Sequence, residues 1–369
     1  MSRVGERGAT STPSPHAAPH AGAAQRARSL GISRSALDLY LSSEVIDLHI
    51  DSFIWRRLFG YDLHERHGLG LLGGWFYSQC DVPRAHEAGL GGAIWIITTN
   101  PWRTRSGRRR ALLANFARLS AELTSRGNVA VVSSVRAYRQ ARALGQHAAL
   151  LGVQGGNALE LSLDDFDRPE LSALTLVTLL HFTRSRIGAP ALPRFMRFGA
   201  QGLTAFGADY VRKLNERRIL VDLAHISETG FWNVLEVHDR GQPLVVSHAA
   251  CAAVHPHFRN LSDAQLKAVA ATGGLVGIIF NAPFIGASLF GAKLERVVDH
   301  IEHAVRVVGA DHVALGSDFD GAIVPPRDLR SVCDLPRLAD ALLRRGLPEY
   351  DVQKVLGGSF LRVLALLRG

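Results

Sequence analysis

From about residue 45 onward, short apolar β-branched runs alternate with stretches whose apolar residues recur every three or four positions. The first pattern is that of buried strands and the second that of amphipathic helices, so the chain reads as successive βα units. Eight runs qualify as strands: residues 45–51, 91–99, 148–156, 175–182, 219–227, 243–249, 275–281 and 313–321. Between them, Ser262 and Gln265 make a capping-box start for a helix that Gly273 and Gly274 stop. Residues 294–308 place Leu294, Val297, Val298, Ile301, Val305 and Val308 on one helical face and close at Gly309. A similar stripe, Leu112, Leu113, Phe116, Leu119 and Leu123, predicts a helix beginning near Ala111 and ending at Gly127. Eight near-continuous apolar strands separated by helices predict an α/β fold, a single (β/α)8 TIM barrel over residues 37–369. Residues 1–36, rich in Ser, Pro, Ala and Arg, show no periodicity that would bury a face, and are expected to form a disordered basic tail.

In such a barrel, catalytic groups sit at the carboxyl ends of the strands. Here the greasy runs end in polar side chains: His49 and Asp51 on the first, Gln154 on the third, His181 on the fourth, His225 on the fifth, His248 on the sixth and Asp318 on the eighth. One histidine at such a place is ordinary core. Four histidines and two aspartates converging on one mouth are not, because each buried polar group needs a partner. His49 and Asp51, two apart on a strand, share a face and can grip one cation. His225, His248 and Asp318 complete a nitrogen and oxygen shell suited to zinc, with room for one or two ions and a water. Asp318 is read as a metal ligand or proton carrier, and Asp320, before Gly321, as a turn or capping acid. Arg259, in the loop after the sixth strand, can hold a substrate carboxylate bidentately; the competing readings are a solvated loop arginine or a partner for Asp263.

Composition narrows the partners. The chain is 47% hydrophobic and 20% charged with mean hydropathy +0.08, which is globular. It offers neither an apolar run of the roughly 18 to 20 residues a membrane span needs nor a secretory h-region, so a cytoplasmic protein without membrane contact is expected. Cys80, Cys251 and Cys333 are too few and too scattered for a disulfide framework and read as buried small hydrophobes. The net charge of +9 sits in two places: residues 1–36 contribute +4, and Arg103, Arg105, Arg108, Arg109 and Arg110 contribute +5. The body is balanced, with no basic stripe to track phosphates, so no nucleic-acid partner is expected. The arginine run reads as a solvated loop or as a positive rim that attracts acidic substrates by its field.

The segments VIDLHIDS, QCDVPRAHEAGLGGAIW, GVQGGNALE, LTLVTLLHF, ILVDLAHIS, VVSHAACAAVHPHFRNLSDAQLKAVAATGGLVGI and VALGSDFDG, in this order, resemble the membrane (renal) dipeptidase family of zinc metallopeptidases, amidohydrolase-like barrels that hydrolyse dipeptides. The resemblance runs from about Val45 to Leu364. It implies that His49 and Asp51, with Asp318, ligate one zinc ion and that His225 and His248 ligate a second. It further implies that His181 contacts substrate and the developing oxyanion, that Arg259 takes the substrate carboxylate, and that Asp318 carries the proton to the leaving amine. The departure is Gln154, where the family has a glutamate bridging both metals. A neutral amide offers no charge against two dications, so the second ion is expected to bind more weakly or not at all. Asn157 and Ser359 also depart from the family pattern and read as supporting positions. The expected activity is zinc-dependent hydrolysis of a small dipeptide-like substrate, and a homodimer is left open. Two alternatives remain: a single-metal amidohydrolase acting on another small amide or pathway intermediate, or a catalytically impaired barrel that binds a ligand or partner.

Overall fold

The computed structural model describes residues 22–68 and 76–369. Nine parallel strands are present among them: β1 (Ile46–Ile50), β2 (Gly92–Thr98), β3 (Val129–Val131), β4 (His147–Gln154), β5 (Leu174–Thr178), β6 (Leu220–Asp222), β7 (Val245–Ala249), β8 (Leu275–Ile278) and β9 (Val313–Leu315). Hydrogen bonding runs β2-β1-β9-β8-β7-β6-β5-β4, and β4 pairs back onto β2, so eight strands close a ring. All eight expected strands lie in that ring. The additional strand, β3, pairs with residues 147–149 of β4 beside the place where β5 takes over. At three residues it is too short to show alternation in sequence.

Alternate residues point into the barrel. Ile46, Leu48, Ile94, Ile96, Ala148, Leu150, Leu176, Leu220, Val245, Leu275 and Ala314 form one buried cluster, which is the barrel interior. The C-terminal helix, Ser359–Arg368, adds Phe360, Val363, Leu364 and Leu367 to it. Arg362 anchors that helix to the carbonyls of Gly273 and Asp311, just ahead of β8 and β9, so the helix plugs the amino end of the barrel. Apolar side chains thus fill the floor, each large one contributing about 1.5–3 kcal/mol on burial, and only the carboxyl end is left for polar groups. Below the mouth the backbones of β7, β8 and β9 pass close together: a Cβ on Gly277 or on Gly316 would lie 2.1 or 1.9 Å from the Ser247 carbonyl oxygen, so only glycine allows this approach.

Three expectations are corrected. Within the segment expected as tail, Ala23–Leu30 is a helix that buries Ala23 and Ala27 against Leu37, with Arg26 bonded to the Ala88 carbonyl. A second helix, Arg34–Ser42, is capped by Ser33, which is held in turn by Asp340, so the fold starts before residue 37. The small alanine face is a weak hydrophobic signal, which is why periodicity missed it. Residues 1–21 of that tail lie outside the described residues. The helix expected from Ala111 begins at Arg105, because Thr104 caps it by accepting the Gly107 N–H, and it ends at Thr124. The Arg103–Arg110 run is therefore mostly the first turns of a helix. Among the described residues, no helix is long and apolar enough to cross a membrane.

Candidate metal centre

The site begins with a β-bulge. Asp47 pairs with Ala93 and Ile50 with Trp95, so three steps on β1 face two on β2. The extra residue turns His49 inward directly after inward-facing Leu48, and Asp51 follows two residues later. His181, His225 and Asp318 do not close their strands as expected; each lies three residues beyond, after Thr178, Asp222 and Leu315. His225 (φ 66°) and Asp318 (φ 64°) adopt left-handed backbone, which costs a non-glycine residue about 1–3 kcal/mol and is tolerated where side-chain position matters more than local stability.

These turns bring the expected residues together. His49 Nε2 lies 3.3 Å from Asp51 Oδ2 and 3.8 Å from Asp318 Oδ1. Candidate ligand atoms of His49, His248 and Asp318 lie within 4.8 Å of one another. The Gln154 amide nitrogen sits 3.3 Å from His49 Nε2 and 3.2 Å from His225 Nε2, while its oxygen faces Thr98 Oγ1 at 3.3 Å. Turned by 180°, the amide would offer its carbonyl to the imidazoles and its NH2 to the threonine. His181 adjoins edge-on to His225, ring centroids 4.6 Å apart.

A chain of donors orders the imidazoles. Arg259 Nη1 donates to His225 Nδ1 at 2.7 Å, and His225 Nε2 meets His248 Nε2 at 2.9 Å. His248 Nδ1 donates to Ser247 Oγ at 2.8 Å, and that hydroxyl donates to Asp222 Oδ2 at 2.7 Å. Ser247 Oγ also lies 3.3 Å from His49 Nδ1. Asp222 is fully buried and further receives the Ser247 and Ala224 N–H groups and the Thr178 hydroxyl. With Nδ1 of His49 and His248 committed to Ser247, their Nε2 lone pairs are left for a cation. His225 can ligate through Nε2 only when Arg259 releases Nδ1. Thr98, Asp222 and Ser247 were missed as site residues, although each is a polar residue at or near the carboxyl end of an apolar strand.

Burial sets the charges. It holds His225 and His248 well below the usual imidazole range, helped by Arg259 and the neighbouring histidines, and takes His181 down to about 3; all three are neutral at pH 7. Burial also opposes charge on His49, but the hydrogen bond and charge of Asp51 outweigh it and raise the pKa. Asp318 is pushed up to about 7 by burial, against His49 and with Asp51. Two neutral imidazoles and two carboxylates in one buried cluster fit a divalent ion, which would replace the missing countercharge. Arg259 is buried, not a solvated loop arginine, and one of its terminal nitrogens, Nη2, has no acceptor. Asp263 pairs instead with His303. Asp320 is a buried anchor: its carboxylate takes the Gln79 and Cys80 N–H groups and the Ser52 hydroxyl. Ser359 bonds the Ala310 carbonyl, and Asn157 faces Thr99; both are structural here.

Solved structures similar to this chain include dipeptidase AC, a metallopeptidase (25% identity, TM-score 0.77), and a Rhodobacter sphaeroides metallopeptidase bound to a phosphinate mimic of L-Ala-D-Ala (25%, TM-score 0.76). Each comparison covers 88% of this chain and 99% of the other. The Macaca fascicularis protein named dipeptidase 3 is 29% identical over 290 residues, 78% of this chain and 58% of that protein. The chain spans about three fifths of the length of the curated relatives it matches. The sequence model of membrane dipeptidases, peptidase family M19, matches residues 33–367, and the chain belongs to that family.

Proposed function

We propose that the chain is a metal-dependent hydrolase that cleaves the amide bond of dipeptides or closely related small amides, with zinc as the expected ion. The observation that carries this reading is the convergence of His49, Asp51, His225, His248 and Asp318 at the carboxyl mouth, with the histidine pair His225 and His248 neutral. His49, Asp51 and Asp318 would hold one ion, and His225 and His248 a second. A bound divalent ion supplies Lewis acidity and a water acidic enough to attack at neutral pH.

The chain's own groups do the rest. The Nη2 of Arg259, which has no acceptor of its own, suits a substrate carboxylate, while Nη1 stays on His225 in the ligand-free site. His181, neutral at pH 7, donates a hydrogen bond to a developing oxyanion rather than a proton. Asp318, whose carboxyl burial pushes up to about 7 before an ion is bound, is the acid at this mouth placed to pass a proton to the leaving amine. Gln154 favours a single tightly held ion, because it brings no negative charge between the two positions. Hydrolysis of a dipeptide panel by the purified, zinc-reconstituted protein, abolished by chelation, supports the reading; a folded, metal-loaded protein silent on every small amide overturns it.

A further inference from the structure

Beside the metal centre lies a cavity of about 670 Å³, between the helix Phe53–Phe59 after β1 and the helix Arg105–Thr124 after β2. Its lining carries Arg57, Arg103, Arg108, Arg110 and Arg118 and no acidic residue. Arg108 is neutralised by Glu160 at 2.7 Å. Among the described residues, Arg57, Arg103, Arg110 and Arg118 form no ion pair, and the buried Nε of Arg57 has no acceptor. Burial lowers the pKa of Arg57, Asp51 across the cavity wall opposes that, and Arg103 lowers it further, so Arg57 feels both the carboxylate of the metal centre and a neighbouring cation of the cavity. Four arginines without an ion-pair partner among the described residues, around a concave space of ligand size, are what a site for an anion needs.

Its position gives that anion a place in the reaction. Thr98 lines the cavity and donates to Asp51 at 2.6 Å, so a single side chain separates the cavity from the metal centre. In the ring of eight, β2 and β7 are four places apart and therefore face each other across the mouth. Arg259 lies in the loop after β7. A substrate whose carboxylate sits at Arg259 directs its acyl half across the metal centre toward β2 and the arginine cavity.

We infer that the preferred substrate carries an anionic group on its acyl side, an acidic amino-terminal residue in a dipeptide, and that the cavity around Arg57, Arg103, Arg110 and Arg118 binds it. This rests on the proposed amide hydrolysis and adds the substrate class. A neutral side chain gains nothing from the four cations, whereas a carboxylate gains at least one charge-assisted hydrogen bond.

The test compares Glu-Ala, Gln-Ala and Ala-Ala as substrates of the zinc-loaded protein. It also measures, by calorimetry, the binding of the phosphinate analogues of Glu-Ala and Gln-Ala. The expected result is a kcat/KM at least tenfold higher for Glu-Ala than for Gln-Ala, with the same order in analogue affinity, both ratios shrinking as salt is raised. In R57Q/R110Q the Glu-to-Gln ratio falls to within threefold; because it is a ratio, a general loss of folding or metal cannot imitate that change. Equal rates for Glu-Ala and Gln-Ala, with Ala-Ala still cleaved, would overturn the inference and leave the hydrolase standing. If no dipeptide is cleaved, the hydrolase reading fails, and equal affinity for the two analogues then rejects the cavity's role on its own.

Discussion

Replacing Gln154 by glutamate puts a third carboxylate into a buried cluster whose charge is already costly, and the structure sets the size of the effect. The Gln154 amide oxygen and Asp51 Oδ1 both lie within hydrogen-bonding distance of the Thr98 hydroxyl, at 3.3 and 2.6 Å. They are therefore no more than about 6 Å apart. Two unit charges at ~6 Å and an effective dielectric of ~20 repel by about 3 kcal/mol. Protonating a glutamate at pH 7 instead costs roughly 3.7 kcal/mol, from its ordinary pKa of about 4.3, so most of the new side chain stays charged and the repulsion persists. With an unfolding entropy of about 2 cal/mol/K per residue over roughly 350 residues, the metal-free variant should melt about 4 °C below the native chain. Added zinc reverses the order, because the same charge then faces a cation. The assay is thermal unfolding at pH 7 in chelator and in saturating zinc. A metal-free Gln154→Glu protein as stable as the native one would refute the reasoning, since it would mean that the site around Gln154 is too well solvated for charge to matter.

His49→Ala and His225→Ala should each lower bound metal while the circular dichroism of the barrel is retained, because both side chains sit above the apolar floor; unchanged metal content in both would remove the metal-site reading. Arg259→Ala should raise KM for substrates with a free carboxylate by about 10- to 100-fold over their amidated analogues, the worth of a charged hydrogen bond; equal effects on both would show that Arg259 does not hold that group. Ser247→Ala removes the hydroxyl that orients His49 and His248 and should weaken metal binding about 10- to 100-fold; an unchanged dissociation constant by competition with a chelator would show that the rings are held by packing alone.

The barrel was legible because each ring strand carries a run of buried aliphatic residues, as Ile94, Trp95, Ile96 and Ile97 do in β2. The ligand candidates were legible because a histidine or aspartate closing such a run has no apolar explanation. What escaped was local backbone chemistry. The bulge in β1 and the left-handed turns at His225 and Asp318 carry no periodic signature, so strand ends were placed too far along. Thr104 as a cap was hidden by the arginines after it, which read as loop. Asp222 and Ser247 stood in plain view in VDLAH and VVSH, but the link from one to the other across β6 and β7, and from Ser247 to two imidazoles, exists only in three dimensions.

Metal content of the purified native chain, measured by mass spectrometry under non-denaturing conditions after zinc loading and desalting, tests the central claim most directly. Five donor residues converge, and an uncharged Gln154 stands where charge would be needed to hold two dications side by side. The account predicts one tightly retained zinc per chain, lost in His49→Ala. A folded chain that retains no zinc, or one that holds two ions with equal tenacity, would contradict it.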